Sequence, residues 1–134
     1  ANAAEKAAKD AQASQLFTQA MSEKNSLKAI ELYTKTIELM PNLSNAYNNR
    51  GILKNNVGDK EGAMKDYNKA IELDSNYAAP YFNRALLYDE LGETECAIKD
   101  YDKVLKFAPN DVVAYNNRGL LKYSIGDNDG GQAY

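Results

Sequence analysis

Laid over itself at an offset of 34 residues, the chain matches in consecutive units. Ala29, Ala63 and Ala97 fall in one column, and four residues on come Tyr33, Tyr67 and Tyr101. Tyr47, Tyr81 and Tyr115 form another column. Between these units the match is nearly literal: YNNRGILK at 47–54 returns as YNNRGLLK at 115–122, and KDYNKAIEL at 65–73 as KDYDKVLKF at 99–107. A period of this size means stacked supersecondary units, each too small to bury its apolar face except against a neighbour.

Within a unit the local signals are helical. Gly58-Asp59 and Gly92-Glu93 divide the units into two amphipathic stretches, glycine ending one helix and an acid starting the next. Apolar residues recur at three- and four-residue steps, as in Tyr67, Ala70, Ile71 and Tyr81, Ala85, Tyr88. Pro41 and Pro109 stand where a helix cannot continue, whereas Pro80 stands near a helix start. The spacing predicts helices over 4–22, 27–40, 44–57, 60–73, 78–91, 94–107 and 111–125. Small Gly51, Ala63, Ala85 and Ala97 let paired helices approach, with tyrosines filling the gaps beside them.

The columns read large aromatic, small residue, Ala-x-x-x-aromatic, then proline. Here they are Tyr47, Gly51, Ala63, Tyr67 and Ser75, then Tyr81, Ala85, Ala97, Tyr101 and Pro109, after a looser Ala13, Phe17, Ala29, Tyr33 and Pro41. This pattern resembles the tetratricopeptide-repeat family over essentially the whole chain. The resemblance implies an all-α fold, an α-solenoid in which antiparallel helix pairs wind into a right-handed superhelix. A single array over 1–134 is expected, with repeats about 10–43, 44–77 and 78–111, a partial repeat over 112–134, and residues 1–9 as an N-terminal helix extension.

Composition removes most other chemistry. One cysteine, Cys96, and no histidine leave no internal disulfide, no Cys/His zinc site and no imidazole base. With a net charge of −3 and Lys and Arg interleaved with Asp and Glu, nucleic acid is not an expected partner. No apolar run approaches the roughly 20 residues that span a bilayer, and the amino terminus has no apolar core of a secretory signal. The expectation is a soluble, cytoplasmic protein without cofactor or metal that is not an enzyme; a leader removed before residue 1 is compatible with it.

In the resembled family the first helix of each repeat lines a concave face that binds extended peptides or partner helices. By column, the inward positions are Ala11, Ser14, Thr18 and Met21 in repeat one. Repeat two supplies Asn45, Asn48, Asn49, Ile52 and Asn55; repeat three Ala79, Phe82, Asn83, Leu86 and Asp89; repeat four Val113, Asn116, Asn117, Leu120 and Tyr123. Asn49, Asn83 and Asn117 form a ladder whose amides can donate to and accept from a peptide backbone. The alternative is that these amides bridge neighbouring helices or cap local backbone. One subtype of the family grips a chaperone's C-terminal carboxylate through Lys, Arg and Asn. The matching positions here are Ser14, Thr18, Asn49, Ala79 and Asn83, so a charge-assisted clamp is not expected. The expected partner is a protein or peptide, with self-association through the C-terminal helix face as the alternative.

Arg50 and Arg84 are followed sixteen residues later by Asp66 and Asp100, whereas repeat one has Leu16 and Leu32 in both columns. The paired change points to an ion pair inside each repeat. Arg118 has no such Asp, because its second helix is missing, and is expected to be free for a partner or left over from truncation. Cys96, beside Ala97, reads as a buried or half-buried filler. Three local matches are read as coincidences: the calcium-loop-like Asp127-Asn128-Asp129-Gly130, the Gly130-Gly131-Gln132 tripeptide of peptide-release factors, and the sequon Asn42-Leu43-Ser44.

Overall fold

The computed structural model describes residues 2–126, all of whose regular secondary structure is helical. The helices are α1 (Ala3–Ser22), α2 (Ser26–Leu39), α3 (Ser44–Asn56), α4 (Lys60–Leu73), α5 (Ala78–Glu90), α6 (Thr94–Phe107) and α7 (Val112–Ser124). Each begins and ends within one residue of its expected span. The calcium-loop-like and Gly-Gly-Gln segments lie outside the described residues.

Asparagine and aspartate side chains start four of these helices by accepting a backbone N–H of the first turn: Asn2 from Glu5, Asn25 from Lys28, Asp59 from Gly62 and Asp111 from Ala114. Glu93 occupies the corresponding position before α6 without making that bond. Its extra methylene makes it a poorer cap than aspartate. Gly58 and Gly92 end α3 and α5 at φ +94° and +80°, a region closed to most side chains. The N–H of Asp59 reaches back to the Lys54 carbonyl and that of Glu93 to the Tyr88 carbonyl, both at 2.8 Å. This 6→1 closure turns the chain directly into the next helix. Gly126 after α7 has the same conformation, φ +78°.

The chain forms two compact units, Ala1–Ser75 with α1 to α4 and Asn76–Tyr134 with α5 to α7. In each, helices pack on their neighbours in sequence. The repeat columns make the cores. Ala29, Ala63 and Ala97 are buried, and so are Tyr33, Tyr67 and Tyr101. Ala46, Pro80 and Ala114 share a further buried column. In the first unit Ala20, Tyr33 and Ala46 gather Phe17, Leu32, Ile37, Leu43 and Leu53 around them. Gly51 shows why small residues alternate with rings: a Cβ built there would lie 2.7 Å from Cε1 of Tyr67. The architecture is an all-α helical repeat.

Candidate functional site

In the first unit the candidate residues lie on α3. Asn45 is exposed, Ile52 and Asn55 are half-buried, and Asn55 accepts from the Lys60 ammonium at 3.1 Å. Asn48 departs from expectation. It is only 3% exposed, because one helical step from Asn49 turns it into the packing beside Ala46 and Tyr47, and it cannot line an open groove. Asn49 is half-buried, and its amide N–H donates to the Tyr33 hydroxyl oxygen at 3.4 Å.

In the second unit Phe82 and Asn83 are half-buried on α5, while Leu86 and Asp89 are exposed. Phe82 meets the Tyr101 ring edge-on, with centroids 5.6 Å apart. On α7, Asn116, Leu120 and Tyr123 are exposed, and half-buried Asn117 donates to the Tyr101 hydroxyl at 3.1 Å. Asn49 and Asn117 thus each contact a tyrosine sixteen residues earlier. Helix bridging is a real part of their role. One amide N–H of each is engaged there, leaving the other N–H and the carbonyl as polar groups for a ligand. Burial pushes the Tyr33 and Tyr101 hydroxyls above their ordinary pKa, and the amide hydrogen bonds oppose that shift. Asp89 and Asp111 add to the rise at Tyr101.

A cavity of about 390 Å³, open to solvent, lies in this second unit. Ala78, Ala79, Phe82 and Asn83 of α5, Val104 of α6, and Asp111 and Val113 at the start of α7 line it. It joins Phe82 and Asn83, two of the expected groove residues, to Ala79 and Val113 from the same inward columns. Ala78, Val104 and Asp111 stand outside those columns. Asp111 could have been found from its acid-before-helix position, but Val104 sits in a core column and carries no signal of access. The chemistry offered is a small apolar basin with one amide and one carboxylate at its edge, suited to an apolar side chain on a backbone that needs hydrogen bonds.

The arginines follow the expected pairing and extend it. Arg50 Nε and Nη2 hold the two oxygens of Asp66 at 2.8 and 2.7 Å, and Nη1 donates to the Thr34 hydroxyl at 3.2 Å. Lys54 also lies 3.3 Å from Asp66. Arg84 grips Asp100 in the same two-pronged way, at 2.7 Å for both bonds. Asp66 and Asp100 are buried, and their hydrogen bonds hold the guanidinium pKa of Arg50 and Arg84 above the ordinary arginine value. Arg118 is not free. Its Nη1 pairs with Asp102 of α6 at 2.7 Å, and its guanidinium lies 5.4 Å over the Tyr115 ring. The partner sits sixteen residues before it, where Arg50 finds Thr34. Cys96 is exposed rather than filling, since it lies one helical step outside the buried Ala97.

Among the described residues no group of three or more acidic or thiol side chains could hold a metal ion. No described helix is long and apolar enough to cross a membrane.

A family model described as TPR repeat matches residues 56–92 and 88–126, more than half of the chain. Comparison with curated proteins finds no match. Among solved structures, a crystal structure of MamA protein is similar at 28% identity and TM-score 0.80, over 87% of this chain and 66% of that one. A second MamA crystal structure is similar at 28% identity and TM-score 0.82, over 88% and 71%. The chain therefore spans about two thirds of the length of those MamA chains. The first TPR of Spaghetti (RPAP3), bound to the HSP90 peptide SRMEEVD, is similar at 24% identity and TM-score 0.71, over 92% and 95%, a likeness of fold alone.

Proposed function

Because the chain belongs to the tetratricopeptide-repeat family, whose fold generally mediates protein–protein interaction, we propose that it is a non-catalytic scaffold that captures an extended peptide or partner segment. The contact surface would be the inward face of the first helix of each repeat, with repeats over about 10–43, 44–77 and 78–111 and a partial one from 112. The observation that carries this reading is the open basin walled by Ala78, Ala79, Phe82 and Val113, with Asn83 at its edge. An apolar side chain of the ligand would enter the basin, while amides such as Asn117 meet its backbone. Small residues at 78 and 79 matter because larger ones would close the basin.

The HSP90 peptide bound by the RPAP3 domain gives a contrast. Positions Ser14, Thr18, Asn49, Ala79 and Asn83 offer no cation, so the ligand read here is not an acidic chaperone tail. Nucleic acid and membrane insertion are likewise not the partners read from this surface.

The test is selection of peptides from a displayed random library, followed by titration against the wild-type chain, Ala79→Arg and Val113→Arg. Selected peptides should share an apolar anchor, and either arginine should weaken binding at least about tenfold by filling the basin. Binding that ignores both substitutions would sink the groove reading. A second reading, self-assembly through α7, is favoured by one observation: Val112, Val113, Tyr115, Leu120, Tyr123 and Ile125 are all exposed on or just after that helix.

A further inference from the structure

α7 leaves open a face that is covered on α3 and α5. Tyr115 is 49% exposed, whereas its column mates Tyr47 and Tyr81 are 9% and 5% exposed. The helices that complete the α3–α4 and α5–α6 hairpins carry one signature. It reads Glu61-x-Ala63-x-Lys65-Asp66 in α4 and Glu95-x-Ala97-x-Lys99-Asp100 in α6. Its alanine is fully buried, and its aspartate takes the Nε–Nη2 edge of Arg50 or Arg84. Arg118 uses Nη1 on Asp102, and among the described residues no carboxylate occupies its Nε–Nη2 edge. The open socket on α7 therefore has a defined complement: a helix whose small residue precedes an aspartate by three.

That signature occurs a third time, as Glu5-x-Ala7-x-Lys9-Asp10 in the first turns of α1. Residues 3–9 of α1 are all exposed, with Lys6 and Lys9 bordering the α2–α3 connection, so this stretch buries little in its own unit. Ala7, Asp10, Ala11 and Ser14 share a stripe at three- and four-residue steps. The Asp10 side chain is 42% exposed, held only by an exposed i,i+4 pair with Lys6, and lies beside the α2–α3 connection. We propose that the first turns of α1 from a second copy of this chain dock on α7, with Asp10 on the open edge of Arg118.

This inference rests on the self-assembly reading of α7; it shares Ala11 and Ser14 with the inward columns, while its charge pair, Asp10 and Arg118, lies outside them. Ala11 replaces the tyrosine found at 67 and 101, so the contact is smaller than an internal hairpin and should be reversible. It joins a surface on the first unit of one copy to a different surface on the second unit of the next. Such a head-to-tail contact does not close at two copies unless the geometry makes a ring, so mass should keep rising with concentration.

Sedimentation velocity of the 134-residue chain over a concentration series tests this, with circular dichroism checking that each variant folds. Asp10→Arg and Arg118→Asp should each weaken association at least about tenfold. Mixing the two variants should restore it, because the opposite charges then face each other again with their places exchanged. A wild-type chain that stays monomeric overturns the proposal. Association indifferent to Asp10→Arg keeps self-assembly but overturns α1 as the donor. If removal of residues 127–134 converts a monomer into an assembling species, the chain's own end covers α7 and the proposal fails for the full chain.

Discussion

α3 and α7 share Tyr-Asn-Asn-Arg-Gly-x-Leu-Lys, yet those residues live in different surroundings. On α3, Tyr47 is buried and donates to the Pro41 carbonyl at 2.9 Å, Asn48 is buried, and Arg50 holds Asp66 with two bonds. On α7, Tyr115 and Asn116 face solvent and Arg118 makes one bond to a half-exposed Asp102. What differs is the helix that follows. α4 covers α3, while among the described residues no helix follows α7. A repeat sequence therefore encodes a surface ready to be buried, and the next element decides whether it is.

The widest separation should come from removing each arginine. Arg50→Ala strands a carboxylate that is 5% exposed, and unfolding stability should fall by about 3 kcal/mol, with Lys54 limiting the loss. Arg118→Ala, at a pair whose members are 26% and 52% exposed, should cost under about 1 kcal/mol. Urea denaturation of the two variants measures both, and equal losses would erase the distinction. Replacing Arg50 and Asp66 together by leucine, the pair already present at 16 and 32, should recover most of the stability lost by Arg50→Ala.

Gly51→Ala sharpens the same contrast on a smaller scale. The helix gains about 1 kcal/mol of propensity, but the new methyl group meets the buried Tyr67 ring, an overpacking that costs about 1–3 kcal/mol. The expected net result is a loss of about 1 kcal/mol, read as a lower thermal midpoint; a rise would mean that the ring yields.

Alkaline pH should act on both regions through Tyr33 and Tyr101. Their folded pKa lies above the ordinary value of 10.0, so the folded state holds these protons more tightly than the unfolded chain. The contribution is fully present below about pH 10 and is lost as pH rises through the folded values. Thermal midpoints followed upward from about pH 9 should fall more steeply in the wild type than in Tyr33→Phe. Parallel curves would remove Tyr33 from this account. Least affected should be Lys6→Ala, where an exposed i,i+4 pair with Asp10 disappears for less than about 0.5 kcal/mol in the same denaturation assay.

The helices were legible because their boundaries are written locally, in cap residues such as Asn25 and Asp59 and in glycines that adopt positive φ. Core alanines and tyrosines were legible because they recur. The candidate site was less so. Asn48, Phe82 and Asn116 occupy one column and are buried, half-buried and exposed, since access depends on what packs beside each. Arg118 departs from expectation for a related reason. A forward search at sixteen residues finds Asp66 and Asp100, but the same helix also contacts the one before it, and Asp102 lies there. Cys96 shows that a neighbour's burial does not transfer across one helical step.

Packing between chain neighbours also bears on how the protein is made. The α3–α4 hairpin is complete once residue 73 has emerged from a ribosome, and its Arg50–Asp66 pair needs nothing synthesised later. Within each unit the polypeptide can thus consolidate in the order of its translation, α1 to α4 in the first and α5 to α7 in the second, with each new helix adding to its neighbour. At every stage the last helix made carries an uncovered face. For a nascent chain that face is a liability until its partner arrives, and α7 retains that condition among the described residues.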